Sequence, residues 1–265
     1  MMQRIILYII ATITIGLNSS AQEGIPGPVE RIYQMMKVDS IYSKIGALYH
    51  SGDTDALNLE LKKYAKECRI LYGDQSIDYL NSLGYCINLW NKLQEADCVL
   101  SYGEEACKLI EILNLYDSEI DYGIIYCMGC AYFEKGDFNL SLSKSIESYN
   151  KVFKVYLTPG LSLISSLELI LWSAYKLGDI STIMKYAEEY LNVTKQIHGS
   201  SSELMKSLKM IATMIPQEES SFTLMLIQKY GVEFDNNSGF EVQIQYDRLI
   251  AQVYYQLSNT HLAID

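Results

Sequence analysis

Apolar and aromatic residues recur along this chain at helical spacing. Leu142, Ile146, Tyr149, Phe153 and Tyr156 are separated by four, three, four and three residues. That spacing sets them on one face of a 3.6-residue helix. Tyr246, Leu249, Ile250, Val253, Tyr254 and Leu257 form a second such face. A longer beat is laid over the short one. Tyr49, Trp90, Phe133, Tyr175 and Tyr255 stand 41, 43, 42 and 80 residues apart, the last gap being close to two periods of 40. Turn residues keep the same beat at Gly52-Asp53, Gly136-Asp137, Gly178-Asp179 and Ser258-Asn259, with a second set at Gly73-Asp74 and Gly199-Ser200. Glycine suits the left-handed residue that closes a helix, and the Asp after it can cap the next one. The pattern predicts helix pairs over residues 28–72, 75–114, 117–157, 160–198 and 201–231, and a last helix over 239–257. One pair cannot bury its apolar face alone, so stacked pairs must share a core. The expected fold is all-α, a right-handed α-solenoid of antiparallel helix pairs with about five and a half repeats. In the last repeat only Thr260–Asp265 follow the expected turn, and Ala263 stands where a second helix would begin. The array is therefore expected to end inside a repeat: either the chain is a fragment of a longer one, or the missing tail is supplied by a partner or a second copy.

The residues of the third pair resemble a known family. Tyr126-Cys-Met-Gly129-Cys-Ala-Tyr132-Phe-Glu-Lys-Gly136-Asp-Phe138 is similar to the first helix and turn of a tetratricopeptide repeat (TPR). In that family a small residue sits four places before the second aromatic, and Gly-Asp-aromatic makes the turn. Ala251, Tyr254, Tyr255 and Ala263 also match its small-aromatic-small spacing. The segment from Leu71 through Gly73, Asp74, Asp78 and Tyr79 to Leu83 resembles the linker of the longer variety, with repeats of roughly 42 residues, seen in kinesin light chains and many exported bacterial proteins. The resemblance covers most of residues 28–265. Ile45 and Leu171 depart from it in the first helices, and Leu57 and Ile183 in the second, because the family usually places Ala or Gly there. The fifth pair is degenerate, with Pro216 in its turn. HEAT-like pairs have a similar period and stay as an alternative.

The first residues follow a different order. Met1–Arg4 carry one positive charge, Ile5–Leu17 are apolar and uncharged, and Asn18-Ser19-Ser20-Ala21 are small and polar. This is the layout of a secretory signal over residues 1–21, cleaved near Ala21. The apolar run is short for a hydrocarbon core of about 30 Å. Residues 22–27 read as a linker, and 28–265 as the repeat array. No Cys stands beside the cut for a lipid anchor. Nor does any later stretch reach the length of a membrane span, so no membrane insertion is expected after cleavage. The expected address is the periplasm or the exterior, in a Gram-negative bacterium.

Composition narrows the functions. The net charge is −11, which argues against nucleic acid, whose phosphates need clustered Lys and Arg. The three His are far apart, with no metalloprotease, phosphate-loop or nucleophile-elbow motif. Ser141-Leu-Ser-Lys144 has Ser-x-x-Lys spacing, but it falls in a predicted second helix where Ser141 takes a small packing slot. We expect no catalytic residues, cofactor or metal. The six Cys at 68, 86, 98, 107, 127 and 130 all fall in predicted helices. They read first as small core residues. An inter-helix disulfide or a site at Cys127-x-x-Cys130 is a lesser reading.

The 22 Tyr carry the functional expectation. Most of the repeating aromatics are expected as core knobs. Others are expected to line the concave groove where TPR arrays hold peptides, since Tyr offers broad contact area with a polar tip. Groove positions lie seven before, three before and one after each aromatic marker. The candidates are Tyr42, His50, Asn91, Tyr126, Glu134, Trp172, Lys176, Arg248, Gln252 and Gln256, with Gly46, Leu83, Ile87, Cys130 and Glu168 at the same positions. The resemblance implies a non-catalytic, exported scaffold that binds a peptide or partner protein in the groove or at the open last helix. Its alternatives are an extracytoplasmic sensor module of a longer signalling protein and the N-terminal recognition part of a caspase-like peptidase. An outer-surface glycan-binding TPR protein is disfavoured, because the anchoring Cys is missing.

Overall fold

The computed structural model describes residues 28–155, 160–199, 201–231 and 240–262. The expected signal, its cleavage point and the 22–27 linker lie outside these residues. Eleven α-helices run through the described chain. They are α1 (Pro28–Ser51), α2 (Thr54–Tyr72), α3 (Ile77–Lys92), α4 (Ala96–Leu113), α5 (Glu119–Glu134) and α6 (Phe138–Val155). After them come α7 (Leu161–Leu177), α8 (Ile180–His198), α9 (Ser201–Met214), α10 (Ser220–Gly231) and α11 (Phe240–Leu262). A 3-10 turn, Gln217–Glu219, follows Pro216 and leads into α10. The chain divides into two compact units, Met1–Cys86 and Ile87–Asp265.

The turns form as the Gly-Asp pattern predicts. Gly136 has φ +79°, and Asp137 Oδ1 accepts the Leu140 N–H at 3.1 Å. Gly178 has φ +68° and closes α7, while Asp179 accepts the Thr182 N–H at 3.0 Å to open α8. Asp53 does the same for α2 through Ala56. On either side of α4, where the Gly-Asp pair is absent, Gln94 before it and Asn114 after it take the left-handed conformation instead. Asn tolerates that region better than most residues, because its short amide can bond locally.

In the first unit α1 packs along α2, burying Val38, Ile45, Leu57, Leu61, Ala65 and Cys68. Buried Glu60 accepts from Lys44 at 2.7 Å and Lys63 at 2.8 Å, and these cations hold its carboxyl below the ordinary range. In the second unit consecutive helices pack from α4 to α9, and α11 rests on α9 and α10. One core joins Tyr122 and Val152 to α7, α8, α9, α10 and α11, with Leu167, Ile170, Leu171, Ala174, Ile183, Ala187, Leu191 and Leu226 sealed from solvent. Each Leu or Ile among them is worth about 1.5–3 kcal/mol over its exposed state.

Three expectations are corrected. α11 continues through Ser258 and Asn259 to Leu262, so no turn divides it there; Ser and Asn are tolerated in a helix when neighbouring turns already hold the geometry. Ala263 lies outside the described residues. The aromatic markers are also not mainly core. Trp90 is buried and stacks on Tyr102, but Tyr49, Tyr175 and Tyr255 are 45%, 41% and 69% exposed. Phe133 is half-buried, so the marker keeps the period without keeping one depth. Lastly, the apolar row of α6 is only half-buried at Leu142, Ile146 and Tyr149, and Phe153 is exposed; Tyr156 lies outside the described residues. The deepest row of α6 is Ser141, Ser145, Ser148 and Val152. Small side chains let α5 and α7 approach its backbone. Ser141 and Ser173 share a hydrogen bond at 2.8 Å, Ser148 and Ser166 one at 3.1 Å, and Ser148 also donates to the Tyr122 carbonyl.

Candidate functional site

The structure sets several sequence-predicted positions against one another along the first helices of successive pairs. In the second unit Asn91 of α3, Cys130 and Tyr126 of α5 and Ser165 of α7 are neighbours, and burial raises both the Cys130 thiol and the Tyr126 phenol. Glu168 of α7 accepts from Tyr190 at 2.6 Å, and Ser207 of α9 donates to the Tyr190 hydroxyl at 3.3 Å. Lys209 of α9 reaches Gln245 of α11 at 2.8 Å. Hydrogen bonds thus link α7 to α9 through Tyr190 and α9 to α11 through Lys209. Ser165, Tyr190, Ser207, Lys209 and Gln245 were not predicted. Tyr190 lies on a second helix and enters this row from inside the core, which spacing along first helices does not reveal.

Other candidates face solvent. Trp172 is 39% exposed and meets Tyr175 edge-on at 6.0 Å. Lys176 and Arg248 are exposed and form no ion pair among the described residues. Gln252, His50 and Glu134 are exposed too, and partial burial raises the Glu134 carboxyl above its ordinary range. Gln256 is half-buried: its carbonyl accepts from Gln217 at 3.0 Å. Leu83 and Ile87 are fully buried, so these two predicted groove positions are core. In the first unit Tyr42, 50% exposed, joins Tyr64 and Tyr85 in a cluster with ring centroids 5.3–5.9 Å apart. Tyr64 and Tyr85 went unpredicted because the alignment followed one helix at a time.

The six cysteines pack as small apolar residues. Four are buried and two half-buried, all free thiols. Burial pushes the thiols of Cys68, Cys86, Cys107, Cys127 and Cys130 upward, Cys127 to about 12. A thiol that holds its proton is neither a nucleophile nor a ready metal ligand. Ser141 is likewise sealed and hydrogen-bonded, as packing requires. Among the described residues no group of three or more His, Cys, Asp or Glu is placed to hold a metal, and no helix is long and apolar enough to cross a membrane. An open cleft of about 510 Å³ lies among α6, α7 and α8, bordered by Phe153, Leu163, Glu188 and Glu189. Its two carboxylates are engaged, Glu188 by Lys229 and Glu189 by Tyr149. The exposed candidates offer aromatic, amide and charged side chains to solvent.

Comparison with known proteins bears on the fold. No protein-family model matches the chain, and no curated protein matches it. A crystal structure described as a Podosopora anserina kinesin light chain with nearly identical TPR-like repeats is similar at a TM-score of 0.58. The match covers 84% of this chain and 96% of that one, at 10% sequence identity. The fold is therefore TPR-like: an all-helical repeat of consecutive packed helix pairs.

Proposed function

We propose that this chain is an exported, non-catalytic scaffold that binds a peptide or partner protein on the face made by its first helices. The carrying observation is the row itself. Glu168 of α7 is held by a cross-helix bond from Tyr190, while Trp172 and Lys176, one and two turns further along the same helix, face solvent, and Lys176 has no ion pair among the described residues. Exposed aromatics next to fixed polar groups are the composition of binding hot spots. The signal-like residues 1–21 support export. A TPR-like fold supports a protein partner, and the open face of α11 is a second surface for a partner or for another copy.

The test uses a double variant. Trp172→Ala with Lys176→Ala removes an exposed aromatic and a free cation, so helicity should be retained. Affinity for a partner identified by crosslinking in the source cells should fall roughly tenfold or more. Unchanged affinity in the folded variant would move the site away from this face. Export is tested by the intact mass of the native protein: a chain starting at Gln22 supports it, and a retained Met1 in the cytoplasmic fraction contradicts it.

A further inference from the structure

The cleft among α6, α7 and α8 takes no part in the proposed scaffold face. Its volume of about 510 Å³ falls in the size range of small-molecule sites. Its walls come mainly from two second helices. From α8 come Lys185, Glu189, Asn192 and Gln196, which are four, three and four residues apart and share one face. From α6 comes Phe153, 63% exposed. Leu163 of α7 and Val193 of α8, both buried, form the apolar floor. The two walls are in a fixed register. The Tyr149 ring meets the Tyr186 ring edge-on at 5.6 Å, and the Tyr149 hydroxyl donates to Glu189. One turn further along the two helices stand Phe153 and Val193. The apolar end of the cleft therefore lies beyond Glu189, and Lys185 lies one turn before it.

Two charges in this cleft have no opposite charge. Glu188 is neutralised by Lys229. Glu189 accepts only from a neutral phenol, so its charge stays whole, and no cation pairs with it among the described residues. Lys185 also forms no ion pair among the described residues; its ammonium lies 4.9 Å from the Tyr186 ring centroid. The two stand at i and i+4, with the cation first, which is the weaker order for a helical pair. Asn192 accepts from Tyr230 at 2.7 Å through Oδ1, which leaves its amide N–H groups as donors. Along α8 the order is thus cation, anion and apolar floor, in steps of one turn or about 6 Å. A simple anion in the cleft would meet Glu189, and a simple cation would meet Lys185. A molecule carrying both signs and an apolar tail opposes neither.

We propose that this cleft binds a free α-amino acid with a large apolar side chain. Its carboxylate meets Lys185, its ammonium meets Glu189, and its side chain packs on Phe153, Leu163 and Val193. The site is separate from the first-helix face and does not depend on the scaffold reading.

The probe is L-phenylalanine, titrated into the full chain and followed by saturation-transfer NMR. Saturable binding in the millimolar range or tighter is expected. N-acetyl-L-phenylalanine lacks the ammonium and L-phenylalaninamide lacks the carboxylate, so each should bind roughly tenfold more weakly or worse. Lys185→Gln and Glu189→Gln should each weaken L-phenylalanine by a similar factor with helicity unchanged. Lys185 is exposed, and in the second variant the amide carbonyl still accepts from Tyr149. Trp172→Ala with Lys176→Ala should leave this binding intact, so failure of the scaffold face and failure of the cleft are read separately. No saturation through the millimolar range, equal binding of either blocked form, or undiminished binding by either folded variant overturns the proposal. So does an amide form that binds as well as the amino acid and gains from Lys185→Gln, because the cleft then takes a bare cation.

Discussion

Three glycines in neighbouring helices give a graded test of the packing. Gly123 sits inside α5 with nothing within 4 Å of where a Cβ would stand. Gly123→Ala gains helix propensity, about 1 kcal/mol, and meets no opposing contact. At Gly129 the added methyl comes to 3.1 Å from Leu169 Cδ2, the mobile end of a side chain. A few tenths of an ångström of adjustment offsets part of the same gain, so Gly129→Ala should be near neutral. At Gly103 of α4 the methyl would stand 2.8 Å from Met128 Cγ and 3.0 Å from its sulfur. The Cγ lies near the root of the side chain, so the methionine must change rotamer in a packed site. Overpacking of that kind costs about 1–3 kcal/mol and outweighs the propensity gain. Gly103→Ala should therefore lose about 1 kcal/mol net. Urea denaturation followed by circular dichroism, with slopes compared, reads the order. The expected ranking of midpoints is Gly123→Ala above wild type, Gly129→Ala close to it, and Gly103→Ala below. Equal gains at all three positions would refute the close approach of α4 and α5.

The thiols should label slowly in the native chain and fast in denaturant, as followed by a chromogenic disulfide reagent; full-rate native labelling would contradict their burial. Ser141→Ala alone should cost about 1–2 kcal/mol by leaving Ser173 unpaired, and adding Ser173→Ala should cost little more; additive losses in the double-mutant cycle would refute the bond. High pH should unfold the chain. Burial pushes Tyr85 and Tyr230 up to about 12 and raises Tyr64, Tyr126, Tyr149 and Tyr190 further. The folded chain therefore holds protons that the unfolded one loses from 9 for thiols and 10 for phenols. This stability is whole below pH 9 and is lost as pH rises toward 12. Phenolate absorbance of the buried tyrosines should rise together with helix loss, and ionisation well before any unfolding would contradict it.

Much of the architecture was legible because it depends on local chemistry. Gly136 and Asp137 specify a left-handed closing residue and a cap without help from tertiary contacts, and the helix bounds followed from such pairs. Depth of burial was less legible. In α6 the hydrophobic pattern pointed to Leu142, Ile146 and Tyr149, whereas close helix approach favoured the smaller Ser141, Ser145 and Ser148 beside them. Tyr49, Tyr175 and Tyr255 kept the repeat but not the core, since burial depends on what packs across each position and not on the period. At the candidate site the spacing picked out Asn91 of α3 and Tyr126 and Cys130 of α5, which the fold brings near one another. It could not find Tyr190, which reaches Glu168 from another helix, nor tell Leu83 and Ile87 from solvent-facing positions.

Site-directed photo-crosslinking in the source cells tests the scaffold reading most directly. A photoreactive residue at Trp172 is compared with one at Lys108, an exposed position on the second helix α4. The account predicts that position 172 yields a defined adduct with one partner protein, that position 108 does not, and that Lys176→Ala weakens the adduct. Equal adducts from both positions, or none from 172 while 108 gives one, would contradict it.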